Sequence, residues 1–364
     1  MTSPVPLIPQ LPVRRVHEMG IKELERIRLI LRGGSVVEWR RLHFKTRAEV
    51  DRFIRLCQID PTQELDQRWA RQVLADAVEY LRKTFNYRVA EAVTRPRELH
   101  ELFLYASGVL GPKRNQKIAC IVLKVMHVIQ HIEGRDILFK LNVSEAKLCE
   151  LAAERVRAVF EEMKSRGLPV VSFSDSIKTR DSIITKLLAK KETLAAQIYD
   201  KTRFRIVTQD RTDILSVLYF LTQRLFPFNF VVPTQTENSL IPFKSLLQSY
   251  EHFSKLIPEL QLASDYEDRE KLVSNRFSGS DYRVLNFVVD LPLRLDAFLP
   301  NEQDSRDRLR SRIGFVLVEF QIVDRQTALV NEEGENAHER YKRRQKQKVL
   351  RRLSSGLVVP KTAD

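Results

Sequence analysis

The chain has 364 residues, 43% of them hydrophobic, which is enough apolar content for a sizeable core and argues against intrinsic disorder. Its formal net charge of +14, from 61 Lys and Arg against 47 Asp and Glu, favours polyanionic partners such as nucleotides, RNA or DNA. No stretch is long and uncharged enough to span a membrane, the start Met1–Pro6 lacks the pattern of a signal peptide, and the widely spaced Cys57, Cys120 and Cys149 fit neither a disulfide frame nor a zinc site, so the expected location is the cytoplasm.

In chain order, Pro4, Pro6, Pro9 and Pro12 predict an extended opening arm. Arg32-Gly33-Gly34-Ser35 lacks the lysine and spacing of a phosphate-binding loop and reads as a turn. Helices are expected over 47–57, 66–84, 96–108, 114–133 and 144–166. The last has Ser144 as its cap, an apolar stripe at Leu148, Leu151, Ala152, Val156, Val159, Phe160 and Met163, and Gly167 and Pro169 as its stop. The pattern then changes: a short strand at 168–173, a polar helix over 180–196, a strand at 203–208, an amphipathic helix over 210–225 and a strand at 228–232. Residues 234–280 read as irregular apart from a short helix at 243–256; strands return at 282–291 and 313–323, and a basic helix covers 332–353. The fold class expected is α+β: an N-terminal helical domain over 1–165, a mixed-sheet, nucleotidyltransferase-like domain flanked by helices over 166–353, and a tail over 354–364.

Two acids stand at strands of the second half. Asp200 opens Asp-Lys-Thr-Arg-Phe-Arg-Ile-Val, and Glu319 lies within Val318-Glu319-Phe320-Gln321-Ile322. Carboxylates on neighbouring strands among many cations suit magnesium-assisted chemistry on a nucleotide. Asp200 equally suits a cap or an ion pair with Arg203 or Arg205. Strand alternation puts Glu319 and Gln321 on the face opposite Val318 and Phe320, a face that serves either solvent or a site.

The order of segments, Lys178-Thr179-Arg180-Asp181-Ser182-Ile183-Ile184-Thr185-Lys186, then Asp200…Arg205, then Asp281-Tyr282-Arg283-Val284-Leu285-Asn286, then Glu319-Phe320-Gln321-Ile322, then His338, Tyr341 and Lys342, resembles the synthetase domain of the RelA/SpoT family, the ppGpp-type alarmone synthetases of the bacterial stringent response. The resemblance covers about 170–345. It implies transfer of pyrophosphate from ATP to the ribose 3′-hydroxyl of a guanine nucleotide. By that resemblance Asp200 matches the magnesium ligand. Glu319 matches the base on the acceptor hydroxyl and a second contact to metal. Lys178, Lys186 and Arg205 match donor-phosphate positions, and Tyr282 matches the ring that stacks on the acceptor base. Gln321 and Asn286 fall at acceptor positions, and His338 and Lys342 on the last helix. The chain departs from the pattern at Asp281 and Arg203, where the family has glycine, at Asn286, where it has histidine, and at Val323, where it has arginine. The metal and base positions stay intact and the acceptor site is altered. An RNA 3′ end is therefore as suitable an acceptor as GDP or GTP, and a catalytically inactive nucleotide- or RNA-binding relative is the alternative.

Two further features stand outside that pattern. His127 and His131 share one helix face at metal-compatible spacing, but Val128 stands where a zinc protease would carry glutamate, so buried, hydrogen-bonded histidines are expected. No His-Asp hydrolase motif is present. The helix from Arg340 to Arg352 is rich in Arg and Lys with no acid, a composition that suits contact with an RNA backbone or a solvated end. The helical half is expected to recognise a partner, to restrain the enzyme, or to build a homo-oligomer.

Overall fold

The computed structural model describes residues 8, 12–33, 43–189, 201–254, 282–299, 311–332 and 338–354. Seven helices come first: α1 (Ile21–Arg32), α2 (Arg47–Leu56), α3 (Glu64–Phe85), α4 (Glu91–Thr94), α5 (Leu99–Ala106), α6 (Lys113–Lys140) and α7 (Glu145–Ser165). Then follow β1 (Val170–Ile177), α8 (Arg180–Ala189), β2 (Thr202–Thr208), α9 (Asp213–Arg224), β3 (Val231–Asn238), α10 (Phe243–Gln248), α11 (Glu251–Ser254), β4 (Leu285–Arg294), β5 (Ile313–Asp324), α12 (Arg325–Glu332) and α13 (His338–Leu353). The α+β class is as expected, and Ser144 does cap α7 by accepting from the Lys147 amide at 3.2 Å.

The strands form one mixed sheet in the order β1-β2-β5-β4-β3. Among the described strands only β2 and β5 run parallel; the other neighbours are antiparallel. A row of aromatic rings fixes the register. Phe204 on β2, Phe320 on β5 and Phe287 on β4 are direct cross-strand partners. Their centroids are 5.4 Å apart at each step, and Phe226 leans on Phe320 at 5.6 Å. All four are fully buried. Because side chains alternate across a sheet, this row turns Arg203, Arg205, Glu319, Gln321 and Asn286 to the opposite face.

The helical half and the sheet share one apolar core. Helix α6 runs through Gly134 to Lys140 rather than stopping near 133. A Cβ at Gly134 would meet ring carbons of Phe315 at 2.3 and 2.4 Å, so glycine is what lets α6 lie on β5. The buried Arg294 of β4 donates to Asp66 of α3 at 2.6 Å and to the Gln58 carbonyl at 3.1 Å, and it also pairs with Asp296. Arg155 of α7 is half-buried and donates to the Leu225 carbonyl, just past α9, at 2.6 Å and to that of Pro292 in β4.

Several expectations need correction. The strand expected at 228–232 begins only at Val231: Pro227 opens a single 3-10 turn over Phe228–Phe230, and the strand runs on through Asn238 into the stretch read as irregular. Its polar composition, with Pro233 inside it, hides an edge strand from a periodicity reading. The helix expected over 332–353 is two elements, α12 ending at Glu332 and α13 starting at His338. Helix α1 was not expected at all; Gly33 ends it at φ 59°, the left-handed cap that glycine adopts without strain. Most of the proline-rich arm, Gly34 and Ser35, and residues 190–196 of the polar helix lie outside the described residues.

Candidate functional site

The polar face of the sheet holds the site. Glu319 sits mid-strand on β5 with 8% of its side chain exposed. The register places Arg203 beside it on β2, and the Arg203 Nε–H donates to Glu319 Oε2 at 2.6 Å. From the other flank, Asn286 of β4 donates its amide to Glu319 Oε1 at 2.8 Å. The reverse orientation of that amide would set its oxygen against a carboxylate, so charge dictates the orientation. Asn286 Oδ1 is then left buried without a partner, an acceptor suited to a ligand hydroxyl or amino group.

One step along the strands, Arg205, Gln321, Asn286 and Glu237 form a continuous cross-strand row over β2, β5, β4 and β3. Arg205 pairs with Glu332, at the end of α12, at 3.0 Å. Tyr282 is half-buried beside these groups. Burial pushes its phenol above the ordinary tyrosine value, opposed by Arg203 and Arg205 and aided by Glu319 and Glu237. Its position is set by Asn331 of α12, which accepts from the Arg283 amide at 3.1 Å and donates to the Arg283 carbonyl at 2.7 Å. Two carboxylates, two guanidinium groups, two side-chain amides and an aromatic ring thus converge on one face. That arrangement can hold phosphates, stack a base and accept a proton.

Of the residues expected at a site, Glu319, Asn286, Gln321, Arg205 and Tyr282 are brought together. Asp200 lies outside the described residues, immediately before β2. Lys178 is at the strand entrance, its amide donating to the Lys201 carbonyl at 2.8 Å. Lys186 is half-buried on α8, and α8 packs against α13, where Lys342 is exposed. The His338 side chain falls outside the described residues. Arg203 is the residue that sequence reasoning passed over as a site member. The signal in the sequence was its strand parity with Arg205; that Glu319 faces it follows only from the pairing of β2 with β5.

His127 is buried and His131 half-buried, and both rings have polar partners. His131 Nδ1 lies 3.0 Å from Asp290 Oδ2, and the Asn229 amide lies 3.4 Å from His127 Nδ1. Among the described residues no group of three His, Cys, Asp or Glu side chains is placed to hold a metal ion. All three cysteines are buried thiols, and no described helix is long and apolar enough to cross a membrane.

The described residues define an α+β protein whose mixed sheet is packed by aromatic rings on one face and carries a charged array on the other. Among solved structures, the chain is similar to small alarmone synthetase 2 from Bacillus subtilis, at 14% identity over 57% of this chain and 90% of that one, with a TM-score of 0.31. It is similar to small alarmone synthetase 1 from the same organism, at 16% identity over 61% and 87%, TM-score 0.29. A GTP pyrophosphokinase family protein from Streptococcus pneumoniae is similar at 14% identity over 58% and 90%, TM-score 0.29. At these identities and TM-scores the likeness assigns no activity to this chain. No family model matches it, and no curated protein matches it.

Proposed function

We propose that this chain is a pyrophosphokinase: it transfers pyrophosphate from ATP to a ribose 3′-hydroxyl, of GDP or GTP or of an RNA 3′ end, and releases AMP. The observation that carries the reading is Glu319, a buried carboxylate held from both sides on the polar sheet face, with Arg205 and Tyr282 next to it. In this reading the acceptor oxygen attacks the β-phosphorus, the bond to the α-phosphate oxygen breaks, and the hydroxyl proton passes to Glu319. Arg205, Lys178 and Lys186 offset the charge of the donor phosphates. Tyr282 stacks on the acceptor base, with Gln321 and the Asn286 carbonyl addressing its polar edge or sugar.

Magnesium belongs to the same proposal. It takes hard oxygen donors, one or two carboxylates completed by phosphate oxygens, and would be held by Asp200 and Glu319. Glu319 fits in donor type: Arg203 and Asn286 each take one acceptor site of its two oxygens, and the remaining lone pairs can face a cation. Bound there, the ion would draw charge from the transferring phosphates. The proposal further takes residues 1–165 as a regulatory or oligomer-forming domain, α13 as an RNA-contacting helix, with His338 and Lys342 near the substrate end, and the cytoplasm as the location.

The Arg203–Glu319 ion pair favours a second reading, a nucleotide- or RNA-binding protein without turnover. The test uses purified protein, magnesium and ATP labelled at its terminal phosphate, with GDP, GTP and bulk tRNA offered separately. Transfer of label with release of AMP, abolished by Asp200→Ala and by Glu319→Ala, is the expected result. ATP binding without transfer to any acceptor would overturn the enzyme reading in favour of the second.

A further inference from the structure

We propose that Arg203 is the resting counter-ion of Glu319 and a ligand for a bound polyphosphate, so that seating the phosphates and releasing Glu319 are one event. The inference rests on the reading above only in taking polyphosphate as the ligand class.

Arg203 stands where the RelA/SpoT-like motif has a glycine, a residue that would bring no side chain to the carboxylate. Here the in-register neighbour of Glu319 is a guanidinium at 2.6 Å. A carboxylate buried to this depth needs a compensating charge. Asn286 supplies a neutral hydrogen bond, and Arg203 supplies the charge.

The two partners differ in access. Glu319 has 8% of its side chain exposed and Arg203 has 29%, so the guanidinium lies at the solvent side of the pair. Arg205 lies two residues along the same strand face, roughly 7 Å away by strand rise, and pairs with the mostly exposed Glu332. Two guanidinium groups on one face are thus each held by a carboxylate. A polyphosphate offers several charges and the paired oxygen geometry that a guanidinium binds best. It competes for both arginines at once. When Arg203 moves to the phosphates, Glu319 keeps the Asn286 bond and loses its charge partner, which leaves its second oxygen unopposed for a hydroxyl proton or a cation. The carboxylate is therefore released from its counter-ion as the donor is seated, which favours one order of binding at the site. No covalent bond changes in this step.

The test is calorimetric titration of the full chain with inorganic tripolyphosphate in EDTA at low salt. Arg203→Gln should weaken binding about tenfold, since one guanidinium contact is lost. Glu319→Gln keeps the shape, removes the competing charge and should tighten binding several-fold. In the double variant Arg203→Gln/Glu319→Gln the tightening should vanish, because no guanidinium is left to release; this variant also buries no lone charge and so guards against a failure of Arg203→Gln to fold. The ¹⁵N-arginine Nε–H resonance of Arg203 should move with tripolyphosphate, towards its position in Glu319→Gln. Unchanged or weaker binding by Glu319→Gln, or no binding by the parent chain, would overturn the proposal. The measurement is independent of turnover. Tightening without any pyrophosphate transfer would uphold the exchange and sink the enzyme reading; transfer without tightening would do the reverse.

Discussion

Phe204 and Phe320 face each other across the sheet's one parallel pair of strands, their ring centroids 5.4 Å apart, and that contact is what sets Arg203 beside Glu319 on the other face. The packed face and the charged face are two consequences of one register. A slip of one residue would bury Arg203 and Glu319 among rings and turn the rings to the site.

Phe320 is fully buried and touches Phe204, Phe226 and Phe287. Phe320→Ala should lower the unfolding free energy by roughly 3–5 kcal/mol, through lost burial and the cavity left behind. Urea denaturation followed by circular dichroism measures this. Phe320→Leu should recover most of the loss, and both variants should weaken tripolyphosphate binding in proportion to their loosening of the register.

Much of this arrangement was legible before the structure. Alternation around Val318 and Phe320 already gave Glu319 and Gln321 a common face, and the stripe from Leu148 to Met163 gave α7 with its cap. The Arg203–Glu319 pair was not legible, because it depends on which strands neighbour each other over a separation of 116 residues, and periodicity within a strand carries no such information. Only the apolar start of strand β3 was legible; its continuation to Asn238 escaped because those residues are mostly polar and the strand has a partner on one side only. The end of α6 was misjudged for a different reason: a glycine inside a helical run reads as a stop, and only the approach of Phe315 shows that Gly134 is there for packing.

Gly134 supplies a prediction whose sign differs from the usual one. At an exposed helix position, Gly→Ala stabilises by about 1 kcal/mol. At Gly134 the new methyl would strike the Phe315 ring, with the Ile313 carbonyl at 3.0 Å blocking retreat. Gly134→Ala should therefore destabilise by about 1–3 kcal/mol and lower the thermal midpoint. Gly134→Ala combined with Phe315→Leu should recover part of the loss, which a change in helix propensity alone would not do.

His127 predicts a pH dependence. Burial, reinforced by the neighbouring His131, depresses its pKa from 6.5 to about 3. The groups facing it are His131 on its own helix, with Asp290 of β4 behind that ring, Asn229, and the Phe230 ring. The folded protein thus keeps His127 neutral where the unfolded chain would protonate it. The stability this contributes is present above pH 6.5 and is lost as pH falls from there through about 3, to an extent on the order of a few kcal/mol. Urea midpoints measured between pH 7.5 and 4 should fall less steeply for His127→Gln than for the parent chain. By NMR the parent His127 ring should show no titration down to pH 5. A His127 midpoint near 6.5 would sink the argument.

Tyr282 separates binding of the acceptor from the rest of the reaction. It is half-buried within electrostatic reach of the two site arginines and the carboxylates of Glu319 and Glu237, and the Asn331 hydrogen bonds hold the backbone of the next residue, Arg283, in place. A stacking role needs the ring and not the hydroxyl. Tyr282→Phe should leave the acceptor KM within about twofold, whereas Tyr282→Ala should raise it about tenfold with little change in the KM for ATP, a loss comparable to one base–aromatic stack. If Tyr282→Ala instead raises the KM for ATP and leaves that for the acceptor, the ring lies over the donor base, and the polar row of Gln321 and Asn286 faces the donor sugar. A uniform fall in kcat with both KM values unchanged would mean that Tyr282 serves only to pack the Arg203–Glu319 pair, and the acceptor would have to be sought at another edge of the sheet.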